Sequence, residues 1–213
     1  MSKKKDIGRH YEPRLRALRE SYEILDWASP VTQEARFAVL ADNVDLPGKS
    51  LLDVGCGLGD LWAYLRRRRV EVEYLGVDIL EKMVAAARQR HPEARFEQAD
   101  IFGADTYEPA AFDVVFCSGA FNLNLGNNLE FLPQAIARMC RLARQYVVFN
   151  LLHVRAASEQ QKYFYHDPVK VRALLTSPAC QVRIIDDYLP NDFTVICRKA
   201  SPESRCPWEG GGK

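Results

Sequence analysis

The sequence contains no apolar run approaching the roughly 18–20 residues that a helix needs to cross a bilayer, so no membrane role is expected. Its basic opening, Met1-Ser2-Lys3-Lys4-Lys5, leads into no apolar signal-peptide core. The six cysteines, at positions 56, 117, 140, 180, 197 and 206, form no C-x-x-C pair, which removes the common zinc and dithiol spacings. Several fall inside expected strands, where a thiol behaves as a small apolar group. A reduced, cytoplasmic, metal-free protein is the expectation. Charge of one sign is also missing. The 29 basic and 28 acidic side chains leave a formal charge of +1, so no domain-wide basic field exists to hold a phosphate backbone, and nucleic acid is disfavoured as a partner. No internal repeat is present, and the one low-complexity tract is the terminal Gly210-Gly211-Gly212-Lys213, expected to be disordered. What remains is ordinary globular material: 213 residues, 47% hydrophobic and 27% charged, enough for one α/β domain with additional helices.

The most informative stretch is Leu51-Leu52-Asp53-Val54-Gly55-Cys56-Gly57-Leu58-Gly59-Asp60-Leu61. Leu51 to Val54 reads as a short buried strand, followed by a glycine-rich turn and the helical run from Leu61 to Leu65. Such a turn lets the backbone approach a ligand, and the unpaired amides opening the helix add partial positive charge. Two cofactor classes compete for it. The dinucleotide fingerprint G-x-G-x-x-G, counted from Gly55, requires glycine at position 60, where this chain has Asp60. A carboxylate there repels a pyrophosphate, and Asp53 adds a second negative charge. A ligand without phosphate and with a cationic group suits the turn better, and S-adenosylmethionine (AdoMet) is such a ligand. The G-x-G-x-G form, led by Asp53 and trailed by Asp60, resembles motif I of the class I AdoMet-dependent methyltransferases.

Along the chain, an amphipathic helix is expected from Tyr11 to Trp27, with Leu15, Leu18, Tyr22 and Leu25 at helical spacing, after a frayed basic segment over residues 1–10. Ser29-Pro30 starts a second helix, Val31 to Asn43, and Pro47-Gly48 turns into the core. Strands and helices then alternate, the signature of a parallel sheet. The expected strands are 73–78, 94–99, 112–117 and 145–152, and the helices 81–89, 128–142 and 168–175. Arg66 to Arg69 reads as a solvated helix end favoured by the helix dipole. Val182–Asp187 and Phe193–Cys197, joined by Leu189-Pro190-Asn191-Asp192, read as a terminal hairpin, so one late strand runs antiparallel. This pattern again resembles the class I methyltransferase fold: α/β, three-layer and Rossmann-like, with a seven-stranded sheet in the order 3-2-1-4-5-7-6. The expected organisation is an N-terminal helical lid over residues 1–44, a methyltransferase core over 45–200 and a tail over 201–213.

The resemblance implies roles for individual residues. Asp53, Gly55, Gly57 and Gly59 belong to the AdoMet turn. Asp78, about twenty residues beyond it, accepts both ribose hydroxyls. The plain alternative is a helix N-cap, and both roles can coexist. Ile79 lies against one face of adenine. Asp100 meets the adenine amino group and the Ile101 amide a ring nitrogen, unless Asp100 merely starts the turn through Gly103. Ser118, at the end of the fourth strand, borders the methionine moiety, because open α/β sheets bind ligands beyond the carboxyl ends of their strands. Arg36 can pair bidentately with the AdoMet carboxylate, or be a surface arginine. Asn122 either bonds the substrate or fixes its own loop. His153 and His166 are weak candidates for a general base, with a structural role as the alternative. Tyr163-Phe164-Tyr165 either shapes an acceptor pocket or plugs a long loop, and Tyr11 and Tyr22 either close the pocket or pack in the core. The segment 118–122 lacks the Asn/Asp-Pro-Pro-aromatic motif of amino-group methyltransferases and the ligating aspartate of the metal-dependent catechol type.

Since a sulfonium already activates its methyl group, the protein mainly has to align an in-line displacement, which is worth about 7–11 kcal/mol in favourable models. An acidic acceptor such as a carboxylate needs no base at all. The reading is an AdoMet-dependent methyltransferase, yielding S-adenosylhomocysteine and acting at an O or N atom (a carboxylate included) of a small molecule. Methylation of tRNA or protein, and a non-catalytic AdoMet-binding module, are the alternatives. A nicotinamide-dependent oxidoreductase is disfavoured by Asp60.

Overall fold

A computed structural model describes residues 3–15, 20–103, 106–157, 161–175 and 180–201. The expected tail beyond residue 201, with Cys206, and the expected helical position Leu18 lie outside the described residues.

Three helices precede the sheet: α1 (Lys3–Leu15), α2 (Ser21–Ile24) and α3 (Pro30–Asn43). The first two correct the single helix expected over 11–27. Helix α1 begins at Lys3 because its apolar side has something to cover. Ile7, Tyr11 and Leu15 pack on Leu80 and Met83, and Glu12 pairs with Lys82. Helix α3 starts where Ser29-Pro30 predicts. The Ser29 hydroxyl accepts the Thr32 amide at 3.2 Å, the Thr32 hydroxyl accepts the Ser29 amide at 3.1 Å, and Pro30 opens the first turn.

The core then alternates: β1 (Ser50–Val54), α4 (Asp60–Arg67), β2 (Glu73–Asp78), α5 (Glu81–Arg90), β3 (Arg95–Gln98), β4 (Phe112–Cys117), α6 (Asn128–Leu142), β5 (Ala143–Leu152), α7 (Pro168–Leu175), β6 (Cys180–Ile185) and β7 (Asp192–Lys199). The strands form one seven-stranded sheet in the order β3-β2-β1-β4-β5-β7-β6. All pairs are parallel except those of β7, which runs antiparallel to both β5 and β6.

Both faces of the sheet are covered, which is why its central strands read as continuous apolar runs rather than alternating ones. Leu52, Val54, Val115, Cys117, Val147 and Phe149 face α6 and α7. Their neighbours Leu51, Val114, Phe116 and Val148 face α3, α4 and α5. Helix α6 shows the matching period, burying Leu132, Ala135, Ile136, Met139 and Cys140 along one side. The five described cysteines are all buried. Among the described residues no helix is long and apolar enough to cross a membrane. Two of the four arginines that end α4 are paired, Arg67 to Glu34 at 2.7 Å and Arg68 to Asp42 at 2.9 Å.

A buried ion pair ties the first helices to the last strand. The Arg36 Nε donates to Asp192 Oδ1 at 3.0 Å, a second guanidinium nitrogen pairs with Oδ2, and Asn150 Nδ2 donates to Oδ1 at 2.9 Å. Arg36 is 2% and Asp192 0% exposed.

Candidate active site

The parallel strands β1, β2 and β4 end on the same edge of the sheet, and there a cleft of about 350 Å³ opens under α1 and the segment from Leu25 to Trp27. Its floor is the glycine turn. The amides of Gly55 and Cys56 both donate to the Val77 carbonyl, at 2.8 and 3.0 Å, and the Gly57 amide donates to Asp78 Oδ2 at 3.1 Å. These bonds fasten the turn to the end of β2. Gly57 sits at φ +54°, and a Cβ there would lie 2.7 Å from the Leu25 side chain, so glycine is what lets the cover close onto the turn.

Asp78 stands at the mouth of this turn. Its Oδ1 also accepts the Leu80 amide at 2.9 Å, but the residue that caps α5 is Leu80 itself, with no side-chain cap, so Asp78 holds the approach to the helix and is not its N-cap. Burial raises its carboxyl to about 6, with the Leu80, Gly57 and Ile79 amides pulling the other way. Gly55, Gly57, Asp78, Ile79, Asp100, Ile101, Ser118 and Asn122 all line the cleft. Asp100 Oδ1 accepts the Phe102 and Gly103 amides at 3.1 and 3.0 Å, the turn-starting role named as its alternative. Ser118 Oγ and Asn122 Oδ1 are buried and have no hydrogen-bond partner among the described residues.

The other candidates lie elsewhere. Asp53 is buried beneath the turn and accepts the Tyr74 hydroxyl at 2.7 Å. Gly59 is the cap of α4, also behind the cleft wall. Arg36 does not reach the cleft. Its guanidinium is spent on Asp192 and on the Thr32 carbonyl, and it stacks on the Trp27 ring at 4.2 Å, so the ligand-pairing expectation gives way to a supporting contact behind Trp27. His153 and His166 meet each other across a bridge at the exit of β5 and do not line the cleft. Burial lowers the His166 imidazole to about 4, and His153 Nδ1 accepts the Arg155 amide at 3.0 Å. Neither histidine borders the cleft as a base would.

Sequence reasoning missed Asp26. It lines the cleft in a left-handed conformation, φ 65°, and gathers four partners. His10 Nε2 lies 3.0 Å from Oδ2, Lys162 and the Tyr163 hydroxyl each at 2.5 Å, and Arg14 lies 3.4 Å from Oδ1. Their hydrogen bonds hold its carboxyl well below the usual range despite partial burial. Phe131 and Gln134 of α6 were missed as lining as well. Among the described residues no group of three or more His, Cys, Asp or Glu is placed to hold a metal ion.

Asp60, the residue that breaks the dinucleotide pattern, faces the first helices. Its Oδ2 accepts the Ser21 hydroxyl at 2.5 Å and the Gln33 amide at 3.0 Å.

Asp53 makes a stability prediction. Burial raises its carboxyl from 3.8 to about 7, outweighing the Tyr74 hydrogen bond. Between those values the folded chain holds a proton that the unfolded chain has released, so this group makes stability fall as pH rises through the window. Asp53→Asn keeps an acceptor for Tyr74 and removes the ionisation. The variant is expected to gain on the parent by a few kcal/mol between about pH 4 and pH 8, read as the difference in urea-unfolding free energies. Equal pH profiles would refute it.

Comparison with known proteins adds the following. The sequence model of a family described as a methyltransferase domain matches residues 45–198. Rv1506c of Mycobacterium tuberculosis, provisionally named a methyltransferase, is 31% identical over 159 residues, 71% of this chain and 94% of that protein. Trans-aconitate 2-methyltransferase of Afipia carboxidovorans is 30% identical over 105 residues, 49% of this chain but 37% of that protein, so the match spans little more than a third of its length. Among solved structures, magnesium protoporphyrin IX methyltransferase of Synechocystis PCC 6803 with bound SAM superposes with a TM-score of 0.67 at 18% identity, over 94% of this chain and 98% of that one. The [4+2]-cyclase SpnF reaches the same TM-score, 0.67, at 15% identity, over 91% of this chain and 94% of that one, so the fold alone does not decide the reaction.

Proposed function

The chain belongs to this methyltransferase-domain family, and from that premise we propose that it carries the methyl group of AdoMet to an oxygen or nitrogen atom of a small molecule. The observation behind this reading is the charge of the cleft wall. Asp26, Asp78 and Asp100 line it, and among the described residues no lysine, arginine or histidine does. Such a wall suits a sulfonium and an ammonium group and opposes a pyrophosphate. In this reading Asp78 accepts the ribose hydroxyls with the lone pairs its backbone partners leave free. Ile79 lies against adenine, Asp100 meets its amino group and the Ile101 amide a ring nitrogen, and Ser118 borders the methionine end. Asp53, Gly59 and Arg36 act from behind, fixing the turn and Trp27. Helices α1 and α2 with Asp26 and Trp27 serve as the cover.

When bound, AdoMet supplies a methyl carbon whose C–S electron pair returns to sulfur as the acceptor's lone pair forms the new bond. The chain contributes alignment and exclusion of water, the terms that dominate when the leaving group is already activated. Where the acceptor carries a proton, it is lost to water as the methylated product leaves the cleft.

The named acceptors of the relatives and of the structural neighbour, trans-aconitate and magnesium protoporphyrin IX, are small molecules, which supports a small-molecule acceptor here. The pairing of Arg67 with Glu34 and of Arg68 with Asp42 argues against a nucleic-acid face on the arginine run of α4. The second reading is a chain that binds AdoMet without transferring the methyl group, and it is the likeness to the cyclase that keeps it in play.

Calorimetric titration with AdoMet, S-adenosylhomocysteine and NADH tests the proposal. Binding of the first two at micromolar concentration, with none of NADH, is the expected result. NADH binding without AdoMet binding would overturn it. Formation of S-adenosylhomocysteine over a panel of small O–H and N–H acceptors separates transfer from mere binding.

A further inference from the structure

Beyond Ser118 the cleft changes character. Its far wall is made by Leu123, Leu125 and Phe131, with Gln134 beside them and Tyr163 at the lip. Phe131 is held edge-on against Phe102 at 5.3 Å and lies 6.2 Å from Phe121, so the wall is a braced aromatic surface. No cationic side chain lines any part of the cleft among the described residues. Lys162 and Arg14, the nearest by chain of contacts, are committed to Asp26. A carboxylate entering this half would lose its water and meet no counter-charge on the wall, an unfavourable exchange.

One polar group in this half lacks a partner. Asn122 is 8% exposed, it lines the cleft, and its Oδ1 accepts no hydrogen bond among the described residues. Its backbone is otherwise fixed, with its amide donating to the Gly119 carbonyl at 3.1 Å and its carbonyl accepting the Phe164 amide at 2.8 Å. The side chain is therefore not needed to hold its own loop. A buried carbonyl oxygen left unpaired costs about 1–3 kcal/mol, a cost that a ligand bringing a donor removes.

Resting on the methyltransferase reading, we infer that this half is the acceptor subsite, and that it takes an uncharged, largely aromatic or aliphatic molecule whose single O–H or N–H is received by Asn122 Oδ1. Carboxylate acceptors of the trans-aconitate type are excluded by the same wall. Asn122 Oδ1 orients the nucleophile and takes no proton; the proton of the O–H or N–H stays on the product's cationic oxygen or nitrogen as the new bond forms and is lost to water when the product leaves the cleft.

The test uses the full chain saturated with S-adenosylhomocysteine, whose own binding is measured first. Three probes follow: para-propylphenol, its methyl ether para-propylanisole, and para-propylbenzoate. The phenol is expected to bind at least about tenfold more tightly than the ether, which lacks the donor, and the benzoate more weakly than both. Asn122→Ser and Asn122→Ala should bring the phenol down to the affinity of the ether. Gln134→Arg, which adds a cation to the wall, should raise benzoate binding by about tenfold. Benzoate binding as well as the phenol, no discrimination between phenol and ether, or binding of none of the three would each overturn the inference. If S-adenosylhomocysteine binds and the probes fail, only the acceptor assignment falls. If S-adenosylhomocysteine fails to bind, the functional reading falls with it.

Discussion

Asp192→Ala should lower the folding stability by about 3–5 kcal/mol, because it strands the buried Arg36 guanidinium without its counter-charge. The pair is 2% and 0% exposed, so solvent cannot replace the lost partner. Asn150 loses its acceptor in the same step. For a chain of this length the loss corresponds to a fall in melting temperature of about 10 °C. The double variant Arg36→Met with Asp192→Leu is expected to recover most of it, since replacing both members of a buried pair by apolar groups is often neutral. A melting temperature within two or three degrees of the parent for Asp192→Ala would mean that the ion pair contributes little, contrary to this account. The single variant should also loosen Trp27, whose ring rests on the Arg36 guanidinium at 4.2 Å, and so weaken cofactor binding beyond what the stability loss explains.

Asp78→Ala is expected to weaken AdoMet binding roughly 100-fold, from two hydrogen bonds to a charged acceptor at about 1.5 kcal/mol each. The same substitution removes the acceptor of the Gly57 and Leu80 amides, so some loss of stability accompanies it, on the order of 1 kcal/mol. A pH profile separates the two effects. Burial raises the Asp78 carboxyl to about 6, and the ribose hydroxyls need its ionised form. In the parent protein AdoMet affinity should therefore fall about tenfold for each pH unit below that value, and in Asp78→Asn this dependence should vanish. A flat profile in the parent down to about pH 5 would remove Asp78 from the cofactor site.

The sheet was legible because its signals are local. Leu51 to Val54, Phe112 to Cys117 and Val147 to Leu151 are runs apolar but for Asp53, Asp113 and Asn150, and Leu189-Pro190-Asn191-Asp192 announces the reversal into β7. The order of strands followed from the resemblance carried by the glycine turn, and the sheet has that order. What the sequence could not disclose was contact over distance. Arg36 looked like any arginine on an amphipathic helix, and its partner Asp192 lies 156 residues away. Asp26 carried no motif, and Tyr163, which donates to it, stands 137 residues further on. The histidines misled for a related reason: His153 and His166 bracket a polar stretch in sequence, yet their bridge turns them to the exit of β5, away from the cleft. Helix α1 was underestimated because its charged opening conceals Ile7, whose partner surface belongs to α5.

Asp60 gives the molecule an evolutionary constraint. The one substitution that would restore a dinucleotide turn, Asp60→Gly, would also sever the acceptor shared by Ser21 of α2 and Gln33 of α3. A lineage drifting toward nicotinamide chemistry would thus weaken one tie between α2 and the turn at the first step. One codon thus bears at once on the choice of cofactor and on part of the attachment of the roof over it.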